Sequence, residues 1–354
     1  MQTSQRHHFK RWFSLAFLLV LVGAYWLFYL HQVDQSKKAI GNRHTTLTLT
    51  NVSYDPTREL YAAYDQVFQT YWHKKTGQKV HVDVSNSGSG KQANSVIEGN
   101  QADVVTLALD PDITSIQKAG LIKAGWQKKF PDNSSPYTST IVFLVRKGNP
   151  KHIRDWGDLI KNDIKIITPN PKTSGGARWN YLAAWAYADK HYHHQQSTDK
   201  AFLKKLYHHV TVLDSGARDA TTTFVQNGQG DVLLAWENEA LLAMKEHPGK
   251  YQIVTPSISM KAEPSVAVVD QVAKQRRTTK LAKAYIRYLY SKKAQEIEAQ
   301  NFYRPINQQV AKKYRRQFPT VNRVSINDPL FGGWDKVQNK HFDNGGIFDQ
   351  IYQK

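Results

Sequence analysis

Lys79-Val-His-Val-Asp-Val84, Ser85-Asn-Ser-Gly-Ser-Gly-Lys91, Gln92-Ala-Asn-Ser-Val-Ile-Glu98 and Asp103-Val-Val-Thr-Leu-Ala-Leu109 follow one another over residues 79–109. The first alternates apolar and polar side chains, as a half-buried strand does. The second is a run of small residues suited to a turn, and the third has helical spacing. The fourth is an apolar run suited to a buried strand. Strand, turn, helix, strand is the repeating unit of a parallel sheet with helices packed on its faces. Upstream, Thr46–Val52 reads as a strand, and Arg58–His73 as a helix with Leu60, Tyr64, Val67, Phe68, Tyr71 and Trp72 on one face. Thr57, just after Pro56, is expected to cap it. Downstream, strands are expected at Thr140–Val145, Ile164–Ile167, Val210–Leu213, Val232–Ala235, Gln252–Val254 and Ser265–Val269, mostly with helices between them. The fold class is therefore α/β, and 354 residues suggest two lobes rather than one sheet.

Composition removes several classes of function. There is no Cys, which excludes thiol catalysis, cysteine-held zinc, disulfides and a lipidated N-terminal Cys. Hydrophobic content of 40% with 18 Tyr, 14 Phe and 9 Trp excludes intrinsic disorder. Lys and Arg outnumber Asp and Glu by 48 to 29, a formal charge of +19. The cations are spread along the chain, so the charge favours anionic ligands or surfaces in general and does not mark a nucleic-acid-binding stripe. Residues 1–11 are polar and basic, 12–30 carry no formal charge and are mostly apolar, and 31–45 form a polar linker. The uncharged run is long enough to span a bilayer and exceeds the usual core of a signal peptide. It reads either as an uncleaved membrane anchor or as an unusual removable signal. In both cases the remainder is exported.

Three turns at strand ends are candidate binding elements: Ser85–Lys91, Thr168-Pro-Asn-Pro-Lys-Thr-Ser-Gly-Gly-Ala177 and Leu213-Asp-Ser-Gly-Ala-Arg218. Each precedes a helix, where backbone N–H groups lack helical partners and the peptide dipoles favour an anion. A turn of this kind also serves simply to start a helix, but three of them at strand ends favour an anion site. Ser85–Lys91 lacks the first Gly of a Walker loop and has Gln92 where Ser or Thr would hold magnesium. It is no nucleophile elbow either, because Ser87 and Lys91 flank Ser89. Trp236 follows an apolar strand and suits a core position or a donor to an acceptor ligand. His191, His193 and His194 invite a metal reading, but no carboxylate set nearby in the sequence completes one. No catalytic triad or carboxylate pair emerges, so the chain is expected not to be an enzyme and to need no cofactor.

Longer motifs narrow this further. Asn51-Val-Ser-Tyr-Asp-Pro-Thr-Arg-Glu-Leu-Tyr61, Ser87-Gly-Ser-Gly-Lys-Gln92, Ala102-Asp-Val-Val-Thr-Leu-Ala-Leu109, Pro136–Pro150, Ile167-Thr-Pro-Asn-Pro-Lys172, Ser174–Ala184, Asp214-Ser-Gly-Ala-Arg218, Ala235-Trp-Glu-Asn-Glu-Ala-Leu-Leu242, Asn301-Phe-Tyr-Arg-Pro305 and Phe331-Gly-Gly-Trp334 resemble the periplasmic sulfate-binding proteins from about Thr46 to the C-terminus. The resemblance implies a two-lobed, type II periplasmic-binding-protein fold that closes on its ligand. Approximate lobes would be 46–138 with 265–354, and 139–264. It implies sulfate capture, with thiosulfate or another tetrahedral oxyanion such as molybdate as the alternative. It also implies delivery to the permease and ATPase subunits of an ABC importer, a monomer, and a periplasmic location with or without an N-terminal tether. By the resemblance, the ligand contacts fall on Ser89, Ser174, Gly175, Gly176, Ala217 and Trp236. The first five would offer backbone N–H groups, Ser174 its hydroxyl as well and Trp236 its indole N–H, with Asp55 and Arg58 in support.

Overall fold

The computed structural model describes residues 22–32, 46–161 and 163–352. They fall into two units, residues 1–48 with 69–81 and residues 49–68 with 82–354. In the smaller unit residues 22–32 are helical and exposed. No described helix is long and apolar enough to cross a membrane, and residues 12–21 of the expected apolar run lie outside the described residues. The same unit contains a short corner, in which the Trp72 indole donates to Gln78 Oε1 at 3.3 Å and Leu47 N donates to Lys79 O at 3.1 Å.

The elements up to the end of the first sheet's leading run are β1 (Leu47–Tyr54), α1 (Arg58–Thr76), β2 (Val80–Ser87), α2 (Ser89–Ile97), β3 (Val104–Leu107) and α3 (Asp110–Lys118). Then come β4 (Ile141–Arg146), β5 (Ile166–Pro169), α4 (Gly175–His191), α5 (Gln196–His208), β6 (Val210–Asp214), α6 (Ala217–Val225), β7 (Val232–Trp236), α7 (Glu237–Glu246) and β8 (Tyr251–Val254). The chain finishes with β9 (Ser265–Val268), α8 (Thr279–Leu289), α9 (Lys292–Gln300) and short segments to residue 352. Every expected strand is present to within three residues at either end, the largest difference being β2, which runs on from the expected Val84 to Ser87.

The larger unit holds two main sheets and two small two-stranded ones. The first has the order β9-β3-β1-β2 and the second β6-β5-β7-β4-β8. In the first, β1 and β3 run parallel (Val52 opposite Val105), and β9 returns antiparallel on the edge (Val266 opposite Thr106). In the second, β5 is parallel to β6 and β7, while β4 is the reversed strand, with Ile141 opposite Trp236. The central strands are apolar on both faces because helices cover both, so β3 and β7 are wholly buried and β4 is buried up to Arg146. One core cluster (Val52, Val105, Leu107, Ile113, Trp126) backs the first sheet, and another (Phe143, Trp156, Trp179, Leu182, Leu234) backs the second. Residues 331–352 pack on the second core: His341 lies edge-on to Trp185 at 4.6 Å and Phe348 edge-on to Tyr207 at 5.3 Å. Burial, with Lys340 adding to it, pushes the His341 imidazole down to about 3, so this histidine packs as a neutral ring.

Two local expectations change. Thr57 does not cap α1 by accepting a hydrogen bond from its first turn. Its hydroxyl donates to Tyr54 O at 2.6 Å, within a 3₁₀ turn that Asp55 and Pro56 form ahead of the helix. The helix expected from Gln92 begins three residues earlier, at Ser89 with Gly88 as N-cap. Gln92 is pinned instead by its side chain, whose amide donates to Ser53 O and Ser85 O, both at 2.9 Å. That shift places Ser89 in the first turn of α2, where its amide has no helical acceptor.

Candidate functional site

Three helix starts meet where the two sheets face one another. They are α2 beginning at Ser89, α4 at Gly175 with Ser174 as N-cap, and α6 at Ala217 with Gly216 as N-cap. The approach is measured by the glycines. A Cβ on Gly175 would lie 2.9 Å from Ser89 Cβ and 2.9 Å from Ala108 Cβ, so α4 touches the first sheet's turn directly. A Cβ on Gly176 would lie 3.1 Å from Trp236 Nε1, 3.5 Å from Ser174 Oγ and 3.6 Å from Ala217 Cβ. All six residues singled out by the resemblance are thus brought together, and all are buried. Only glycine leaves room for the backbones to come this close.

Among the described residues the amides of Ser89, Gly175, Gly176 and Ala217 have no acceptor. Two other expected donors are engaged within the protein. The Ser174 amide donates to Asn170 O at 2.9 Å and the Trp236 indole to Gly176 O at 3.2 Å. The Ser174 hydroxyl accepts from Ala177 N at 3.4 Å, an ordinary N-cap bond. The Ser89 hydroxyl is held in place: it donates to Asp112 Oδ2 at 2.5 Å and accepts from Ala108 N at 3.0 Å. Trp179, one turn into α4, donates its indole to Ala108 O at 3.0 Å and ties the two sides together again. Asn180 holds α4 onto its own sheet through Thr168 Oγ1 and Leu234 O.

Above these residues lies a groove of about 1320 Å³. Arg58, Lys91, Lys118, Lys172, Arg178 and Arg218 line it together with an equal number of carboxylates, among them Asp55, Asp112 and Asp219. The groove is therefore charge-balanced, and the chain's overall basicity is not concentrated here. Asp55 sits on the start of α6, its Oδ2 in the space a Gly216 Cβ would occupy. Burial raises its pKa, the Asp219 carboxylate adds to the rise, and Arg58, Arg218 and Lys91 oppose it. The Arg58 charge thus favours the ionised form of Asp55.

The least legible residue was Arg218. Its guanidinium makes a two-pronged pair with Glu59, at 3.0 and 2.8 Å, and a third contact with Glu239 Oε1 at 3.0 Å. Glu59 starts α1 beside the first sheet and Glu239 belongs to α7 on the second, so one side chain fastens the two. Burial pushes Glu239 up to about 7 against the pull of Arg218. Neither this triad nor the Ser89–Asp112 bond has a local sequence signal, because the partners are far apart in the chain. The histidines close no metal site. His194 Nδ1 meets Asp189 Oδ2 at 2.5 Å, yet no group of three or more ligating side chains among the described residues could hold a metal.

A cleft between two α/β sheets, built from helix starts with unpaired amides, defines a solute binder. The chain belongs to the bacterial extracellular solute-binding protein family, whose model matches residues 57–304. It is 57% identical to the sulfate-binding protein of Escherichia coli K12 over 87% of this chain and 94% of that one. It is 45% identical to the thiosulfate-binding protein of Pseudomonas aeruginosa, over 88% and 94%. Among solved structures it matches the sulfate-binding protein SubI of Mycobacterium tuberculosis H37Rv with a TM-score of 0.76 and 33% identity, covering 84% of this chain and 100% of SubI. The fold is thereby the expected two-lobed periplasmic-binding-protein fold, and membership of a family of solute binders agrees with the expectation that the chain is not an enzyme.

Proposed function

We infer that this chain is a periplasmic binder that captures sulfate and delivers it to an ABC importer. The observation that carries the reading is the meeting of Ser89, Gly175, Gly176 and Ala217, whose amides have no acceptor among the described residues. Such a site offers backbone donors, and the six cations of the groove above it are matched by six carboxylates. It suits a fully ionised dianion, whose charge is spread over peptide and helix dipoles. Hydrogen phosphate carries a proton that would need an acceptor, and an unmet hydrogen bond in a closed site costs about 1–3 kcal/mol. Ser89, Ser174, Gly175, Gly176, Ala217 and Trp236 are the proposed contacts. The Ser174 amide and the Trp236 indole exchange their internal acceptors for the ligand as it enters.

The lobes are proposed as 46–138 with 265–354, and 139–264, with Asp55 and Arg58 supporting the cleft. The chain acts as a monomer that presents its closed form to permease and ATPase subunits. Residues 12–30 are proposed to tether it beside the importer, which raises its effective concentration there. Recovery of a shortened, freely soluble protein from the periplasmic fraction would remove the tether. Thiosulfate is the second reading, favoured by the thiosulfate-binding relative. Calorimetric titration of the full chain at fixed ionic strength with sulfate, thiosulfate, molybdate and phosphate tests both. Stoichiometric sulfate binding, lost in Ser174→Asp and absent for phosphate, is the expected result. Tight thiosulfate or molybdate binding without sulfate binding would reassign the cargo.

A further inference from the structure

A second cavity, of about 230 Å³, shares no lining residue with the groove. Its apolar wall is made by Trp126, Phe130 and Val268, the last from the edge strand β9. Around it stand Lys123, Lys129, Lys283 and Arg287, all exposed and none with an acceptor for its side chain among the described residues. Lys283 and Arg287 lie one turn apart on α8, whose other face buries Leu281, Tyr285, Ile286 and Leu289. The helix cannot rotate to separate them, and like charges at this spacing repel. The single lining carboxylate, Asp270, is engaged by the Lys123 amide at 2.9 Å. Trp126 is 2% exposed, and its indole N–H is buried with no acceptor among the described residues. Phe130 is stacked on Tyr290 at 6.4 Å, which fixes that side of the wall.

Four cations against one carboxylate, around an aromatic wall that also holds an orphaned N–H donor, describe a receptor for a charged head on an apolar body. The charge attracts the head, and the half-buried Phe130 ring, backed by Trp126, covers the body. We propose that this pocket binds an amphiphilic anion, a sulfonate, sulfate ester or phosphate joined to a flat or chain-like apolar group. The source is either a soluble organic anion or the headgroup of an anionic lipid. The inference does not rest on sulfate binding at the cleft, and the two fail separately.

The test is calorimetric titration of the full chain, saturated with inorganic sulfate, with naphthalene-2-sulfonate; methanesulfonate serves as the control without an apolar body. One naphthalenesulfonate site is expected, at least tenfold weaker in Lys283→Glu/Arg287→Glu and weakening several-fold as NaCl rises from about 50 to about 300 mM. Methanesulfonate should bind at least tenfold more weakly than naphthalenesulfonate. An unchanged circular dichroism spectrum and melting temperature in the double variant show that the variant is folded. Displacement of the probe by phosphatidylglycerol vesicles assigns the pocket to lipid headgroups, and retention of the probe assigns it to soluble anions. The proposal is overturned if the sulfate-saturated wild type takes up no probe, or if its affinity ignores both the charge reversal and the salt.

Discussion

Gly175 offers the sharpest test of how the cleft closes. In Gly175→Ala the added methyl would lie 2.9 Å from Ser89 Cβ, 2.9 Å from Ala108 Cβ and 3.0 Å from Leu109 Cγ. These neighbours are held by the sheet and by the Ser89–Asp112 and Ser89–Ala108 bonds, so they yield little. Overpacking of this kind costs about 1–3 kcal/mol. The clash arises only where α4 meets the first sheet's turn, so on the proposed reading an open form would escape it and the whole cost would fall on the closed, ligand-holding form. Sulfate affinity should therefore drop by about 5- to 150-fold, while the ligand-free chain melts within a degree or two of wild type. The control is Gly90→Ala on α2, where the nearest atoms stand at 3.8 and 3.9 Å and affinity should change by no more than about twofold. Titration calorimetry of the full chain reads both. A Gly175→Ala chain that binds sulfate as tightly as wild type would refute the reasoning, because α4 would then not approach Ser89 in the bound state.

Trp236→Phe removes the indole donor and keeps a ring beside Tyr54, now 5.5 Å from it. Sulfate affinity is expected to fall by about 1.5–3 kcal/mol, the worth of a hydrogen bond to a charged group, as read by the same titration. Arg218→Met leaves Glu239, 2% exposed, without its cation. The folded state should lose about 3–5 kcal/mol at pH 8, less at pH 5 where Glu239 is protonated, and Arg218→Met/Glu239→Gln should recover most of it in urea titrations. Asp65 is pushed up to about 7 by burial, against the hydrogen bond it accepts from Tyr285 OH at 2.6 Å. The folded state thus holds its proton more tightly than the unfolded chain, and the stability this gives is complete below about pH 4 and lost as pH rises through about 7. Asp65→Asn should flatten that part of the wild-type profile of melting temperature against pH, and an unchanged profile would exclude Asp65 as its source.

The residues readable in the sequence were those whose chemistry is local. Strands such as Val232–Trp236 and Ile141–Arg146 are apolar runs between turn residues, and neither pattern needs a distant partner to be recognised. The Ser174-Gly175-Gly176 and Ser215-Gly216-Ala217 turns could be selected because an amide at a helix start is orphaned by the helix itself. Legibility failed where a long-range bond overrides a local preference. Thr57 looked like a cap, but Tyr54 O takes its hydroxyl. Gln92 looked like a helix start, but it is fixed by Ser53 O across the sheet. Arg218 and Asp112 carry no signal in their neighbourhoods, since Glu59 and Ser89 reach them only through the fold.

The edge strand β9 has a consequence for the life of the chain before it binds anything. It lies against β3, more than 150 residues earlier in the sequence, and the entire second sheet is made in between. Until the last quarter of the chain has emerged, β3 has an unpaired flank and the first sheet cannot be completed. Pairing over so long a separation is slow, because the loop must be closed before its contacts form. For a chain exported as proposed, such a delay would keep the nascent molecule loose during transit. Truncation before residue 265 should accordingly give a product that aggregates through the bare edge of β3 rather than a smaller soluble lobe.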